Sequence, residues 1–254
     1  MIEGSTFLNC SSLTSITIPD SVTTIGGSAF RDCSSLREFK GKFADDDGRC
    51  LIIDGTLKSF APAGLTAYTI PDSVSTIGSD VFRGCDNLTS VTIPYSVTTI
   101  DADAFSGCSS LTSITIPDSV ITIRSYALQY CSSLTSITIG DGVTTIGDYA
   151  FDNCNKLTSV YCKAVTPPAI RFYTFYRNAS ARKFYVPADV VETYKSASYW
   201  EDYADVIVGY DFENESMNLI SFTVDGIEYQ AEEGMTWEEF INSEYNTGNF
   251  IYKK

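Results

Sequence analysis

The groups with the widest chemical reach in this 254-residue chain are eight cysteines and 32 acidic residues. Histidine is absent, which removes the commonest general base, every His-dependent triad and every imidazole-ligated metal site. Six cysteines stand at 10, 33, 85, 108, 131 and 154, at intervals of 23, 52, 23, 23 and 23 residues. No C-x-x-C pair occurs, which argues against a zinc ribbon. The acidic run Asp45-Asp46-Asp47-Gly48 has the composition of a calcium loop but neither the EF-hand spacing nor its distal glutamate, so a solvated turn is preferred. Serine and threonine are plentiful, yet no histidine is present to activate one as a nucleophile. Asp20, Asp72 and Asp118 each follow a proline, where a turn accounts for them. There is no glycine-rich phosphate loop. The expectation is a protein without catalysis, cofactor or metal site.

The cysteine spacing belongs to a wider repeat. Leucines recur three places after the cysteines, at 13, 36, 88, 111, 134 and 157, and Leu65 fills the gap. A unit opens as L-x-x-I-x-I: Ile16 and Ile18 alternate with Ser15 and Thr17, so a short strand points apolar groups inward and hydroxyls outward. Pro19-Asp20 ends that strand, because proline has no amide to donate. Val22 and Ile25 supply a second inward pair, and Ala29, Phe30 and Cys33 have the spacing of a single helical turn. Stacking such units about 4.8 Å apart sets like residues on like and makes a lengthwise core that no unit forms alone. The column cysteines then run parallel, an orientation ill-suited to disulfide geometry, and read as buried free thiols. Cys162 takes the place of Ile18 in its own unit, hence core; Cys50 lies outside the ladder.

The strings ITIPDSVTTIG, AFRDC and CSSLTS resemble the BspA-like, treponemal-type leucine-rich repeats of bacteria, over about residues 2–165. The resemblance implies a surface-exposed or secreted protein used for adhesion or ligand capture. The expected fold is a leucine-rich-repeat solenoid of short parallel strands and right-handed 23-residue coils, with a C-terminal cap and a small α+β tail. Residues 1–165 are expected to form seven coils, of which one is irregular. In that one, residues 37–64, two Asp-Gly turns between apolar stretches predict a protruding β-meander. Residues 166–212 are rich in aromatics and are expected to lie as a lid on the last coil, with one helix over Asp189–Ser198; a carbohydrate-stacking surface is the alternative use of these rings. Residues 213–254 are acidic: a hairpin around Asp225-Gly226 and a capping box at Thr236 opening a helix to about Ser243 predict a hairpin-helix module. Ile2 to Cys10 aligns with the end of a unit, so the chain opens mid-coil; with no signal-peptide shape at Met1–Gly4, it is expected to be a fragment of a longer protein.

A net charge of −15 repels phosphate backbones and argues against nucleic acid, and no apolar run reaches membrane-span length. The outward strand positions form a carpet of small hydroxyls broken only by Arg37, Glu38 and Lys40. The candidate ligand-binding residues are therefore Arg37, Glu38 and Lys40 with the neighbouring Thr66, Thr69, Thr89, Ser90 and Thr92. The partner class is a protein or a glycan. Threonine also suits an exposed strand for its own sake, and the carpet lacks the aromatic or arginine anchors of a hot spot. Two other functions stay open: a rigid spacer that presents another domain, and an accessory part of a larger carbohydrate-active protein. The chain is expected to be monomeric; its raw front end leaves end-to-end pairing open as the alternative.

Overall fold

A computed structural model describes residues 1–212, 219–224 and 227–232. It divides into two units, Met1–Tyr210 and Asp211–Lys254.

The first unit is a parallel β-solenoid of about nine turns with repeats of about 23 residues. One side carries the L-x-x-I-x-I strands, and the register between turns is one repeat: Ile114 faces Ile137, and Ile137 faces Val160. A second side is built from two-residue strands, Thr99–Ile100 beside Thr122–Ile123 and so on, again one repeat apart. The third side holds the Ala-Phe-x-x-Cys turns. Pro19, Pro94 and Pro117 each accept an amide bond from the valine three residues on, so the proline corner is a tight turn.

The ladder extends two strands beyond the seven coils expected from the repeat letters. Lys183–Pro187 pairs in parallel with Ser159–Cys162, and Ile207–Tyr210 pairs in parallel with Lys183–Pro187. The aromatic segment is therefore a continuation of the stack more than a lid laid on it. Phe184 and Val186 point inward where the repeat has isoleucines, and both are fully buried. Between these strands the chain forms a 3-10 turn at Ala188–Val190, a helix at Val191–Ser196 and a second 3-10 segment at Glu201–Val206.

The irregular coil contains a hairpin, Cys50–Ile53 antiparallel to Thr56–Phe60. Its turn residues Asp54 and Gly55 both have positive φ (49° and 72°), as a two-residue primed turn requires. The hairpin does not protrude: the start of Thr56–Phe60 is itself the second side of its coil, with Thr56 and Leu57 paired to Thr76 and Ile77, and Leu51 and Leu57 are fully buried. This coil also divides the interior. One core cluster runs from Cys50 to Ile207, and a second gathers Ile18, Phe30, Leu36, Phe39 and their neighbours. Phe82 stacks on Phe105 at 4.9 Å and Phe151 on Phe175 at 5.1 Å, with Leu128 taking the ring position between them. Phe30 stacks instead on Phe7, in the other cluster.

In the second unit, Leu219–Val224 and Ile227–Glu232 form an antiparallel pair. The helix expected from Thr236 lies outside the described residues.

Candidate functional site

Four of the column thiols have a backbone partner, beginning with Cys33, which donates to the Phe7 carbonyl at 3.1 Å. Cys108, Cys131 and Cys154 donate to the carbonyls of Phe82, Phe105 and Leu128, all at 3.1–3.2 Å. Burial pushes the Cys108 thiol up to about 12 and the Cys162 thiol up to about 11, far from thiolate chemistry at neutral pH. All eight cysteines are free, and Cys10 alone is not buried. Treatment of the folded protein with iodoacetamide is therefore expected to modify Cys10 alone, by peptide mass mapping. Labelling of Cys108 or Cys131 without denaturant would contradict this packing.

The triple aspartate is less solvated than its composition suggested. Asp45 accepts from the Cys50 amide at 2.8 Å and from the Tyr68 hydroxyl at 3.2 Å, and its burial raises its pKa. Asp47 braces the same turn through the Arg49 amide. Among the described residues, no three potential metal-ligating side chains come together.

On the strand face, the sequence-derived candidates fall on two separate short sheets. Glu38 and Lys40 lie on Glu38–Gly41, whose partner strand is Ser15–Ile18. Thr69, Ser90 and Thr92 lie on the pair Ala67–Thr69 and Ser90–Thr92. Glu38 and Lys40 pair with each other at 2.8 Å, an exposed contact of little energetic weight. Arg37 extends over Gly64, where an added Cβ would lie 3.3 Å from Nη1. The hydroxyl of Thr89 donates to the Thr66 carbonyl at 3.0 Å, and Thr135 and Thr158 repeat that bond two and three coils on. Part of the hydroxyl carpet is thus already engaged in holding coil to coil.

The anchors missing from the carpet stand elsewhere. Tyr126, Tyr149 and Tyr173 form an outer ladder with ring centroids 5.3 and 4.9 Å apart and planes within about 6° of parallel. Phe172 and Tyr176 meet Tyr173 edge-on at 4.8 and 5.4 Å. Tyr126, Phe172, Tyr173 and Tyr176 are all exposed. Tyr126 and Tyr149 hold positive φ, 64° and 58°, at a position filled elsewhere by Ser5, Ser28, Asp80 and Asp103. Small polar residues tolerate that region, whereas a bulky ring there is strained. At the end of the strand face a further group forms, with Tyr161 stacked on Tyr185 at 4.6 Å and Tyr210 edge-on to both. The sequence signal for the outer ladder was the 23-residue interval between Tyr126 and Tyr149. Composition alone does not separate the rings after residue 166: Phe175, Phe184, Tyr194 and Trp200 are buried, and Phe172, Tyr173 and Tyr176 are not.

No helix among the described residues is long and apolar enough to cross a membrane. A leucine-rich cell-surface protein of Faecalibacterium prausnitzii superposes with a TM-score of 0.63 at 26% identity, over 78% of this chain and 52% of its own. A leucine-rich repeat protein of Eubacterium ventriosum gives 0.59 at 26% identity, over 69% and 48%. The pneumococcal vaccine antigen PcpA shares the fold at 18% identity, with a TM-score of 0.50 over 78% and 56%. The chain thus spans about half the length of these proteins. No curated protein matches it in sequence. The BspA type leucine rich repeat region matches residues 1–43 and 56–182 in six copies, skipping the stretch that carries the Cys50–Ile53 strand. With most of its length matched by that model and its interior stacked one repeat on the next, the chain belongs to the BspA-type leucine-rich repeat family.

Proposed function

We propose that this chain is a non-catalytic interaction module, displayed on a cell surface or secreted, that captures a glycan or protein ligand through the outer surface of its solenoid. The exposed tyrosine ladder carries the reading. A row of parallel rings at a fixed spacing offers large contact area at low cost in side-chain entropy, and tyrosine is enriched among residues that dominate binding energy. The strain accepted at Tyr126 and Tyr149, where the repeat elsewhere uses serine or aspartate, supports a use for the rings beyond folding. Membership of the family and likeness to a cell-surface protein support the location.

The decisive experiment is binding to glycan arrays and to immobilised host-matrix proteins. Tyr149→Ser with Tyr173→Ser is expected to weaken capture by at least about tenfold while leaving the melting temperature nearly unchanged, because serine already occupies this place at Ser28. The triple change of Arg37, Glu38 and Lys40 to alanine tests the second candidate surface, with Thr66, Thr69, Thr89, Ser90 and Thr92 beside it. A loss confined to that variant would move the binding surface to the charged coil. Binding by neither surface would favour the rigid spacer, a reading helped by the threonine hydroxyls that tie coil to coil. An accessory role within a larger carbohydrate-active protein is compatible with ring-mediated glycan capture.

A further inference from the structure

Along the third side, each turn passes N–H groups forward to carbonyls of the next. Ser5, Phe7 and Asn9 donate to Gly27, Ala29 and Arg31 at 2.8–3.2 Å, and Asp80, Phe82 and Gly84 donate to Ala102, Ala104 and Ser106 over the same range. The irregular coil breaks this stack. It crosses the third side along residues 58–64, where the following coil uses 78–87. The shorter path cuts inside the arc. As a result, the N–H groups of Ser28, Phe30 and Asp32 on one wall, and the carbonyls of Ser79, Val81 and Arg83 on the other, have no hydrogen-bond partner among the described residues. Cys85 shows the same interruption: its thiol lacks the carbonyl contact that Cys108, Cys131 and Cys154 make.

The two walls are held apart. Ser28 Oγ donates to Asp80 Oδ2 at 2.7 Å, and Arg31 Nη1 lies 3.6 Å from Asp80 Oδ1. Arg83 fixes the far wall through Asp80 at 3.3 Å and through Asp103. Beside this strut opens a cleft of about 330 Å³ floored by Phe60, Pro62 and Leu65, within the size range of ligand pockets.

We propose that this notch takes a peptide segment of a partner protein, lying along the coils and restoring the missing course of the third side. A polypeptide backbone presents acceptors to one wall and donors to the other at the spacing of a strand; an ionised phosphate has no donors, and the hydroxyls of a glycan do not recur at that spacing. Its carbonyls accept from Phe30 and Asp32, and its amides donate to Val81 and Arg83. Phe60 already fills the ring column, 4.7 Å from Phe82, so the inward side chains of the guest are small. Asp32, Asp80, Asp86 and Asp103 outnumber Arg31 and Arg83 around the cleft, so the guest is basic at its ends. This site is independent of the tyrosine ladder.

The test uses the full chain and a library of acetylated, amidated heptapeptides with a basic residue at each end and small residues between. Members are expected to bind tighter than about 1 mM by fluorescence polarisation; a library without any such binder overturns the proposal. N-methylation of central peptide amides is expected to weaken binding by at least about tenfold, and unchanged affinity overturns it. Ser34→Trp, at the mouth of the cleft, is expected to abolish binding. Ser132→Trp, the same repeat position on the intact stack, is expected to leave it intact; equal effects overturn the site. By amide exchange, the Phe30 N–H is expected to slow at least about tenfold when peptide is added, while that of Phe105, already bonded to Ala127, stays as it was. A Phe30 amide fully protected in the free chain would mean that the chain fills its own notch, and overturns the proposal. Loss of glycan or matrix capture in the tyrosine variants, with peptide binding retained, separates this site from the surface proposed above.

Discussion

Replacing Trp200 by alanine is expected to cost about 3–5 kcal/mol, the range for removing a buried aromatic from a core. The indole is fully buried and meets Tyr194, Phe184 and Phe175 at centroid distances of 5.0, 5.4 and 6.0 Å. Its N–H donates to the Pro168 carbonyl at 2.8 Å, so truncation leaves both a cavity and an unpaired acceptor. Tyr194 is coupled to the same site, with its hydroxyl donating to the Ala164 carbonyl at 2.7 Å and lying 3.2 Å from Cys162 Sγ. Because a solenoid is stabilised by nearest-neighbour contacts, the loss is expected at one end first. Amide exchange over residues 166–210 should accelerate while the Leu111–Cys131 coil remains protected. Uniform acceleration along the whole stack would show that the last two turns are not a separately yielding end. Trp200→Phe keeps most of the volume and loses the N–H bond, and is expected to cost about 1–3 kcal/mol.

Phe105→Ala should be comparably damaging, again about 3–5 kcal/mol, but through a different failure. Phe105 is fully buried in mid-stack, with Phe82 on one side and Leu128 on the other. Here the cavity interrupts the column itself, so equilibrium unfolding is expected to split into two transitions, one for each flank. The natural control is Phe105→Leu. Leu128 shows that leucine fills this column without exposure, so the cost should fall to about 1 kcal/mol. In a Trp237→Phe background, urea titration followed by tryptophan fluorescence reports the C-terminal flank, where Trp200 lies, and circular dichroism reports the whole. Coincident single transitions in Phe105→Ala would refute the picture of neighbour-limited cooperativity.

Much of this molecule is written in the repeat. Alternation at Ile114 and Ile116, the prolines at 19, 71, 94 and 117 that end four of the strands, and the Phe and Cys columns follow from letters recurring every 23 residues, because stacking like on like is the one arrangement that buries every such face. The two added turns were legible in a fainter form. Phe184 and Val186 alternate and are followed by Pro187, as Ile16 and Ile18 are followed by Pro19, but the surrounding repeat letters that mark a coil are absent there.

The candidate surfaces were legible only in part. The charged triplet Arg37, Glu38 and Lys40 stood out by composition, yet composition could not reveal that Glu38 and Lys40 satisfy each other or that Thr89 is bonded to its neighbour. Which rings of residues 166–212 face outward depends on how each short turn rotates about the stack, and neighbouring letters such as Phe175 and Tyr176 end on opposite sides of the wall.

The sequence by itself determined the repeat length, the inward and outward faces of each strand, and the columnar core, since periodicity and burial are local facts multiplied by copying. Only the tertiary structure decided where the stack fails. Leu36 to Leu57 takes 21 residues where Leu65 to Ile77 takes 12, and Leu57 to Leu65 takes 8 where Ile77 to Leu88 takes 11. A net gain of six therefore conceals a third side that is three residues short. Insertion length is visible in a string, but which side of the coil is shortened depends on the pairing of Thr56–Phe60 with Thr76–Ile77. That pairing is a contact between distant residues, and it leaves backbone donors and acceptors facing each other across a gap.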